Sequence, residues 1–316
     1  MKYLKELREG EKVSDVYLCK HVASAVTKNG KEYLNVILQD KSGVLDAKVW
    51  DPSSGGIGEF KSLDYIYIMG DALTFNNQIQ ISIKRIRIAN EGEYVEADYL
   101  PVSPRDNDTM YKEVTAACDS VKNLYLNGLL KSFFVNDTDF IGKFRKSSAA
   151  KTVHHSFVGG LMQHTLAVTK LCNFYTKAYP ALDHDLLITA ALLHDIGKIK
   201  ELSGFPENDY TDEGQLLGHI VMGCSMIEEK ISRMDDFPEK LKNELLHCIV
   251  AHHGQLEFGS PKVPELIEAL ALNLADNTDA KLETLTEALS STNEKGWLGF
   301  NKFLDANIRK TSDWEQ

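Results

Sequence analysis

Residues 184–198 read HDLLITAALLHDIGK. Leu186 to Leu193 is almost wholly apolar, and the apolar positions fall at spacings of three and four, so the stretch is expected to be a buried helix. It ends on His194 and Asp195, with Gly197 expected to stop the helix and free Lys198 to reach into the same space. Adjacent helical residues point about 100° apart, so His194 and Asp195 can serve one ligand only if it lies beside the helix end. Taken alone, a His-Asp dipeptide is far more often an ordinary surface or core pair than a site.

Its neighbours along the chain change that weighting. His164 follows Gly159-Gly160, His219 follows Gly218, His252-His253 runs into Gly254, and Asp276 lies in LADNTDA. Each falls on its own helical segment or helix end, among HTLAVTKLCNFYTKAY, GHIVMGCSMIEEKISRM, EKLKNELLHCIVAHH and PELIEALALNLADNTDAKLETL. Helices converging on one core commonly build metal sites in this way. Imidazoles and carboxylates without thiolates favour Mn, Fe, Co or Ni over structural zinc. Seven candidate ligands exceed what one ion with open positions needs, so two divalent ions are expected, with Asp195 as the natural bridge. Each residue also has a bland reading. A histidine after a glycine can be a cap, one of His252 and His253 can point outward, and Asp279 competes with Asp276.

Ahead of this region the texture differs. VSDVYLCKHVASAV, EYLNVILQD, GVLDAKVW, DYIYIMGDALTF and NQIQISIKRIRIA are β-branched or alternating runs, separated by turn signals such as Asn29-Gly30 and Lys41-Ser42-Gly43. In the last run Ile79, Ile81, Ile83, Ile86 and Ile88 alternate with polar residues, with one slip at Lys84 and Arg85. SSGGIGEF, between the third and fourth runs, reads as a loop with room for a short helix. Five strands interrupted after the third suggest an OB-fold, with an SH3-like barrel as the competitor.

The chain has 316 residues, 43% hydrophobic and 26% charged, the composition of an ordinary globular protein with room for two domains. The net charge of −11 argues against a simple nucleic-acid coat. Residues 1–90 are nonetheless slightly basic, so the acidity lies in the remainder. Five scattered cysteines with no CxxC pair point to a reducing compartment. MKYLKELREGEKV lacks the apolar core of a signal peptide, and no run is long enough for a membrane span, so a cytoplasmic protein is expected.

GGLMQHT, LLHDIGK, GHIVMG, IVAHHG and LADNTDA resemble the HD superfamily of metal-dependent phosphohydrolases. The wider string KTVHHSFVGGLMQHTLAV, the LADNTDAKL element and the barrel-like first segment resemble more narrowly the YhaM-type 3′→5′ exoribonucleases. The resemblance covers essentially the whole chain. It implies a multidomain α and β protein, with an OB-like barrel over residues 1–92, a linker over 93–107 and an all-α HD domain over 108–316. It implies metal ligation by His164, His194, Asp195, His219, His252, His253 and Asp276, with Asp195 and Lys198 catalytic and Lys198 facing the phosphate. Mn²⁺ or Co²⁺ is the metal the family favours. The implied reaction removes nucleoside 5′-monophosphates from the 3′ end of single-stranded RNA, and often DNA.

Candidate strand contacts are Lys84, Arg85 and Trp50 on the barrel, with Tyr33 and Phe75 as further stacking candidates. Arg145, Lys151, His154, His155 and Asp279 are the candidates nearer the metal site. Strand aromatics are more often core than platform, and edge lysines commonly guard against aggregation. A homo-oligomer is compatible with the reading. Two other classes compete: a nucleotidase or cyclic-nucleotide phosphodiesterase on the same metal site, and a non-catalytic oligonucleotide-binding protein.

Overall fold

The computed structural model describes residues 1–27, 29–75, 78–151, 155–290 and 295–312. Two compact units emerge. One comprises Met1–Val102 with Gly204–Asp209, the other Ser103–Ser203 with Tyr210–Gln316.

The first unit is a closed five-stranded barrel of β1 (Lys12–Val26), β2 (Glu32–Asp40), β3 (Gly43–Val49), β4 (Tyr65–Phe75) and β5 (Gln78–Ile88). Its strand order is β1-β2-β3-β5-β4, with β3 and β5 parallel and the other pairs antiparallel. β1 is long enough to serve two partners. Its first half pairs with β4 and its second with β2, around an irregularity between Cys19 and His21. That order and closure are those of an OB-fold.

Alternation along the strands sends Val36, Leu38, Ala47, Val49, Ile66, Ile68, Ile81 and Ile83 inward. The slip at Lys84 is a β-bulge: Met69 pairs with Arg85 and Gly70 with Ile83, leaving Lys84 without a cross-strand partner. The bulge keeps Ile86 in the core after the alternation has skipped a residue. No helix forms between β3 and β4. Ile57 instead bridges to Ile86 and packs on the barrel core.

The second unit is helical: α1 (Asn107–Ser120), α2 (Leu124–Phe134), α3 (Thr138–Phe144), α4 (Gly160–Ala178), α5 (His184–Leu193), α6 (Lys198–Glu201), α7 (Asp212–Ile231), α8 (Glu239–Ala251) and α9 (Ile267–Ser290). A short hairpin of β6 (Trp297–Asn301) and β7 (Ala306–Arg309) follows. Helical patterning was expected to run to the end of the chain, so this hairpin is a departure. Gly296 and Gly299 both take positive φ there, which favours a turn-rich ribbon over a helix.

α5 is the axis of the unit. Leu186 to Leu193 are all buried, and the helix packs against α1, α2, α4, α8 and α9. A helix that is apolar on every face has no solvent side to choose, so its position is set by its neighbours. Its start is pinned by polar contacts. The Asp183 carboxylate caps Leu186 N–H at 2.9 Å, and Asp185 accepts from the backbone N–H groups of Lys122 and Asn123 at the start of α2. Leu187, fully buried at the centre of α5, is therefore a sensitive position. Leu187→Ala is expected to lower the unfolding free energy by about 2–5 kcal/mol, read from the urea midpoint.

Candidate metal centre

His194 and Asp195 emerge where α5 ends, and the side chains around them come from five further elements. His164 lies on α4, Lys198 and Glu201 on α6, His219 on α7, His252 and His253 at the end of α8, and Asp276 and Asp279 on α9. Gly197 is needed here for a reason the sequence reading did not supply. Its backbone is right-handed helical, so it does not stop the helix through a special conformation. A Cβ there would lie 1.9 Å from the carbonyl oxygen of His219, so glycine is what lets α7 approach. Gly218 takes φ +74° and kinks α7 immediately before His219.

Each of four imidazoles has its Nδ1 tied to an acceptor. His194 Nδ1 donates to Ala191 C=O at 2.8 Å, and His252 Nδ1 to Ile249 C=O at 2.6 Å. His164 Nδ1 donates to Asp279 Oδ2 at 2.6 Å, and His219 Nδ1 to Glu201 Oε1 at 3.0 Å. The Nδ1 proton is thereby fixed and Nε2 is the nitrogen left to ligate a metal; on His164 a metal would first displace a second proton from Nε2.

The Nε2 atoms converge on Asp195 from two sides. Oδ2 faces Lys198 Nζ at 2.7 Å, His164 Nε2 at 3.3 Å and His194 Nε2 at 3.4 Å. Oδ1 faces His219 Nε2 at 3.5 Å and His252 Nε2 at 3.7 Å. Asp276 Oδ1 joins the first side, 3.1 Å from His164 Nε2, and the His253 ring joins the second, 4.3 Å centre to centre from that of His252. Among the described residues three groups of donor atoms are compact enough to surround an ion: His164–His194–Asp276 and His219–His252–His253 on the two sides of Asp195, and His155–His164–Asp279 beside the first. Asp195 stands between the first two.

A divalent ion suits both groups. Asp195 Oδ1, His219 Nε2 and His252 Nε2 are buried and have no hydrogen-bond partner among the described residues. An unsatisfied buried polar atom costs about 1–3 kcal/mol, and three acceptors facing one another add repulsion that a cation would remove. On the other side, His164 and His194 bring their Nε2 atoms to 3.2 Å.

The ionisation states follow the same logic. Burial opposes charge on His164, yet its bonds to Asp195, Asp276 and Asp279 prevail and hold its pKa well above the usual histidine range. Burial and the nearby His253 and His194 keep His252 neutral, well below that range. Asp195 is pulled well below the carboxylate range despite its burial, chiefly by Lys198 and His194. Asp276 is lowered as well, by His164 against its own burial, and Asp279 falls to about 2 because His155 and His164 outweigh its desolvation.

A cavity of about 270 Å³ opens onto the cluster. It is lined by His164, Lys198, Glu201, His219, His253 and Asp276 of the cluster together with Ala149, Ala150, Lys151, Leu202, Tyr210 and Ala280. Asp279 and His155 stand behind His164 rather than on the open face, with His155 Nε2 3.0 Å from Asp279 Oδ2. Arg145 is not brought to the cavity. Its guanidinium bonds Asn107 and Asp108 at the start of α1 and lies over Tyr111. His154 lies outside the described residues, as does Lys28.

Glu201 and Tyr210 were not singled out from the sequence. A glutamate between Lys200 and Leu202 reads like any solvated helix charge, and nothing local distinguishes the tyrosine. On the barrel, Lys84 pairs with Asp71, Arg87 pairs with Glu93, and Arg85 and Phe75 are exposed. Tyr33 and Trp50 stack with ring centres 5.2 Å apart, and Lys48 Nζ lies 5.6 Å from the Tyr33 ring.

Comparison with known proteins decides the family of this region, since residues 161–281 match the HD domain. The chain carries an HD domain. That places the helical unit in the superfamily of metal-dependent phosphohydrolases. Similarity is also found to a replication protein A heterotrimer bound to ssDNA, at 18% identity over 28% of this chain and 65% of that chain, with a TM-score of 0.22. The second OB-fold domain of replication protein A from Methanococcus maripaludis gives 18% identity, 29% and 96% coverage, and a TM-score of 0.22. A mitochondrial single-stranded DNA binding protein from S. cerevisiae gives 14%, 27% and 100%, and 0.20. The OB assignment of the barrel rests on its own strand order and closure.

The raised pKa of His164 fixes a sign for metal binding to the HD domain. Its stabilising contribution is fully present below the ordinary histidine value of about 6.5 and is lost as pH rises through its higher folded value. A metal ion competes with that proton, so the gain on adding metal grows with pH. The melting-temperature increase caused by Mn²⁺ is expected to be larger at pH 8.5 than at pH 6. An increase that stayed flat or shrank would contradict this account of His164.

Proposed function

We propose that this HD-domain protein is a 3′→5′ exoribonuclease. It hydrolyses single-stranded RNA, and single-stranded DNA in addition, to nucleoside 5′-monophosphates. The observation that carries the reading is the division of the imidazole and carboxylate donors between the two oxygens of Asp195, in a cluster that lines a cavity of about 270 Å³. His164, His194 and Asp276 would hold one divalent ion and His219, His252 and His253 the other, with Asp195 shared. Mn²⁺ is the expected metal, with Co²⁺, Fe²⁺ or Ni²⁺ as alternatives that the same donors accept. When bound, such a pair supplies Lewis acidity at the phosphoryl group and water that ionises near neutral pH.

The chain's own residues do the rest. Lys198, held by Asp195 and lining the cavity, offsets charge that develops on the non-bridging phosphoryl oxygens. Asp279 and Glu201 keep His164 and His219 in their ligating tautomers. Lys151, which lines the same cavity, would meet a second phosphate.

The barrel, taken as residues 1–92 with 108–316 as the catalytic domain, would hold the body of the strand. Its Tyr33–Trp50 stack with Lys48 alongside combines π faces and a cation, the elements of sequence-tolerant single-strand binding. A cavity of this size would also take a free mononucleotide, so a nucleotidase or cyclic-nucleotide phosphodiesterase is the second reading. Among the described residues no helix is long and apolar enough to cross a membrane.

With Mn²⁺ and 5′-labelled single-stranded RNA, a ladder shortening from the 3′ end with release of 5′-monophosphates is expected. Asp195→Ala should abolish it. Turnover of mononucleotides with the labelled strand left intact would replace this reading with the second. Replacing both Tyr33 and Trp50 by alanine should raise KM on a 20-mer by roughly 5- to 150-fold and leave a dinucleotide nearly unaffected. Equal loss on both substrates would remove the barrel from strand binding.

A further inference from the structure

Tyr210 lines the cavity and is 44% exposed, so part of its ring is open to solvent. Its backbone is well held. Tyr210 forms an antiparallel bridge with Leu202, the next residue's N–H donates to Glu201 C=O at 2.9 Å, and the Thr211 hydroxyl donates to Lys200 C=O at 2.8 Å while capping α7. The same stretch carries Glu201, which fixes His219. The backbone that carries the ring is therefore tied to the segment that bears Lys198 and Glu201. Lys151 Nζ lies over one face of the ring, 5.9 Å from its centre, and Ala149, Ala150, Leu202 and Ala280 line the same cavity.

From this placement we infer that Tyr210 is the stacking platform for the base of the nucleotide whose phosphate faces the metal centre, with Lys151 beside it for the adjoining phosphate. A nucleotide presents a flat π face, a sugar and a charged phosphate. The cavity answers with an aromatic ring, two lysines and the metal ligands, all in its lining. Because the platform is pre-ordered, little conformational entropy is lost when a base settles on it. Stacking gains its strength from the π face alone, so every base is accepted and the larger purines are held more tightly. The inference rests on the reading that this cavity takes a nucleotide, and it assigns the affinity for the base to a residue outside the metal cluster.

A binding cycle on the Mn²⁺-loaded protein tests it without requiring turnover. Calorimetry would compare AMP with ribose 5-phosphate, which keeps the sugar and phosphate and lacks the base. The wild type should bind AMP about 5- to 150-fold more tightly than ribose 5-phosphate. Tyr210→Ala should erase that preference while leaving ribose 5-phosphate affinity and metal content unchanged. Tyr210→Phe should retain it, since stacking does not need the hydroxyl. Tyr210→Leu, which keeps bulk without the π face, should lose it and serves if the alanine variant folds poorly.

A base preference that survives in both the alanine and leucine variants would overturn the assignment. So would a phenylalanine variant as impaired as alanine, or wild-type protein that binds AMP and ribose 5-phosphate equally. Whether the protein shortens RNA is decided separately by the labelled-strand ladder, so the exonuclease reading can fail while the stacking assignment stands.

Discussion

The Asp195 carboxylate, buried and ionised, is the contact around which the helical unit is arranged. Removing such a group from water is expensive unless charge and hydrogen bonds compensate it. Lys198 and the protonated His164 answer Oδ2, but Oδ1 faces imidazole nitrogens that present lone pairs rather than protons. The folded chain thus holds an incomplete electrostatic arrangement in place by packing. α5, apolar on all sides and locked between its neighbours, provides that hold. Ligand binding to the folded form relieves the arrangement and stabilises the chain in proportion.

The supports behind the imidazoles show a pattern across the two donor groups. In each group one imidazole is backed by a carboxylate and one by a backbone carbonyl: His164 by Asp279 and His194 by Ala191, then His219 by Glu201 and His252 by Ile249. A carboxylate behind the ring makes it the more basic donor, and a carbonyl orients the ring without adding charge. Each group therefore pairs one strong donor with one neutral one. The carbonyl device arises directly from helix ends, where His194 and His252 reach back three residues to acceptors in the last turn.

Much of this was legible in the chain because metal chemistry restricts which side chains can serve. HDIGK, HH and the paired aspartates of LADNTDA stand out against an apolar helical background. The slip at Lys84 was visible as a skipped alternation, and its identity as a β-bulge came only with the pairing of β4 and β5. What stayed hidden depends on contacts between distant elements. Gly197 is glycine because α7 passes against it, and Glu201 matters because of where His219 lands. Arg145, in a basic run ahead of the site, finds its partners on α1, and composition cannot say which acceptor a guanidinium meets. The Tyr33–Trp50 stack was obscured in the same way, since Tyr33 lies on β2 and Trp50 just past the end of β3, and only the pairing of those strands brings the two rings together.

The central claim is that Asp195 divides the donor set into two ion sites. Anomalous diffraction from crystals grown with Mn²⁺ tests it most directly. The account predicts two peaks per chain, one beside each oxygen of Asp195, with His164, His194 and Asp276 around the first and His219, His252 and His253 around the second. A single peak, or a pair whose ligands do not include Asp195, would contradict it.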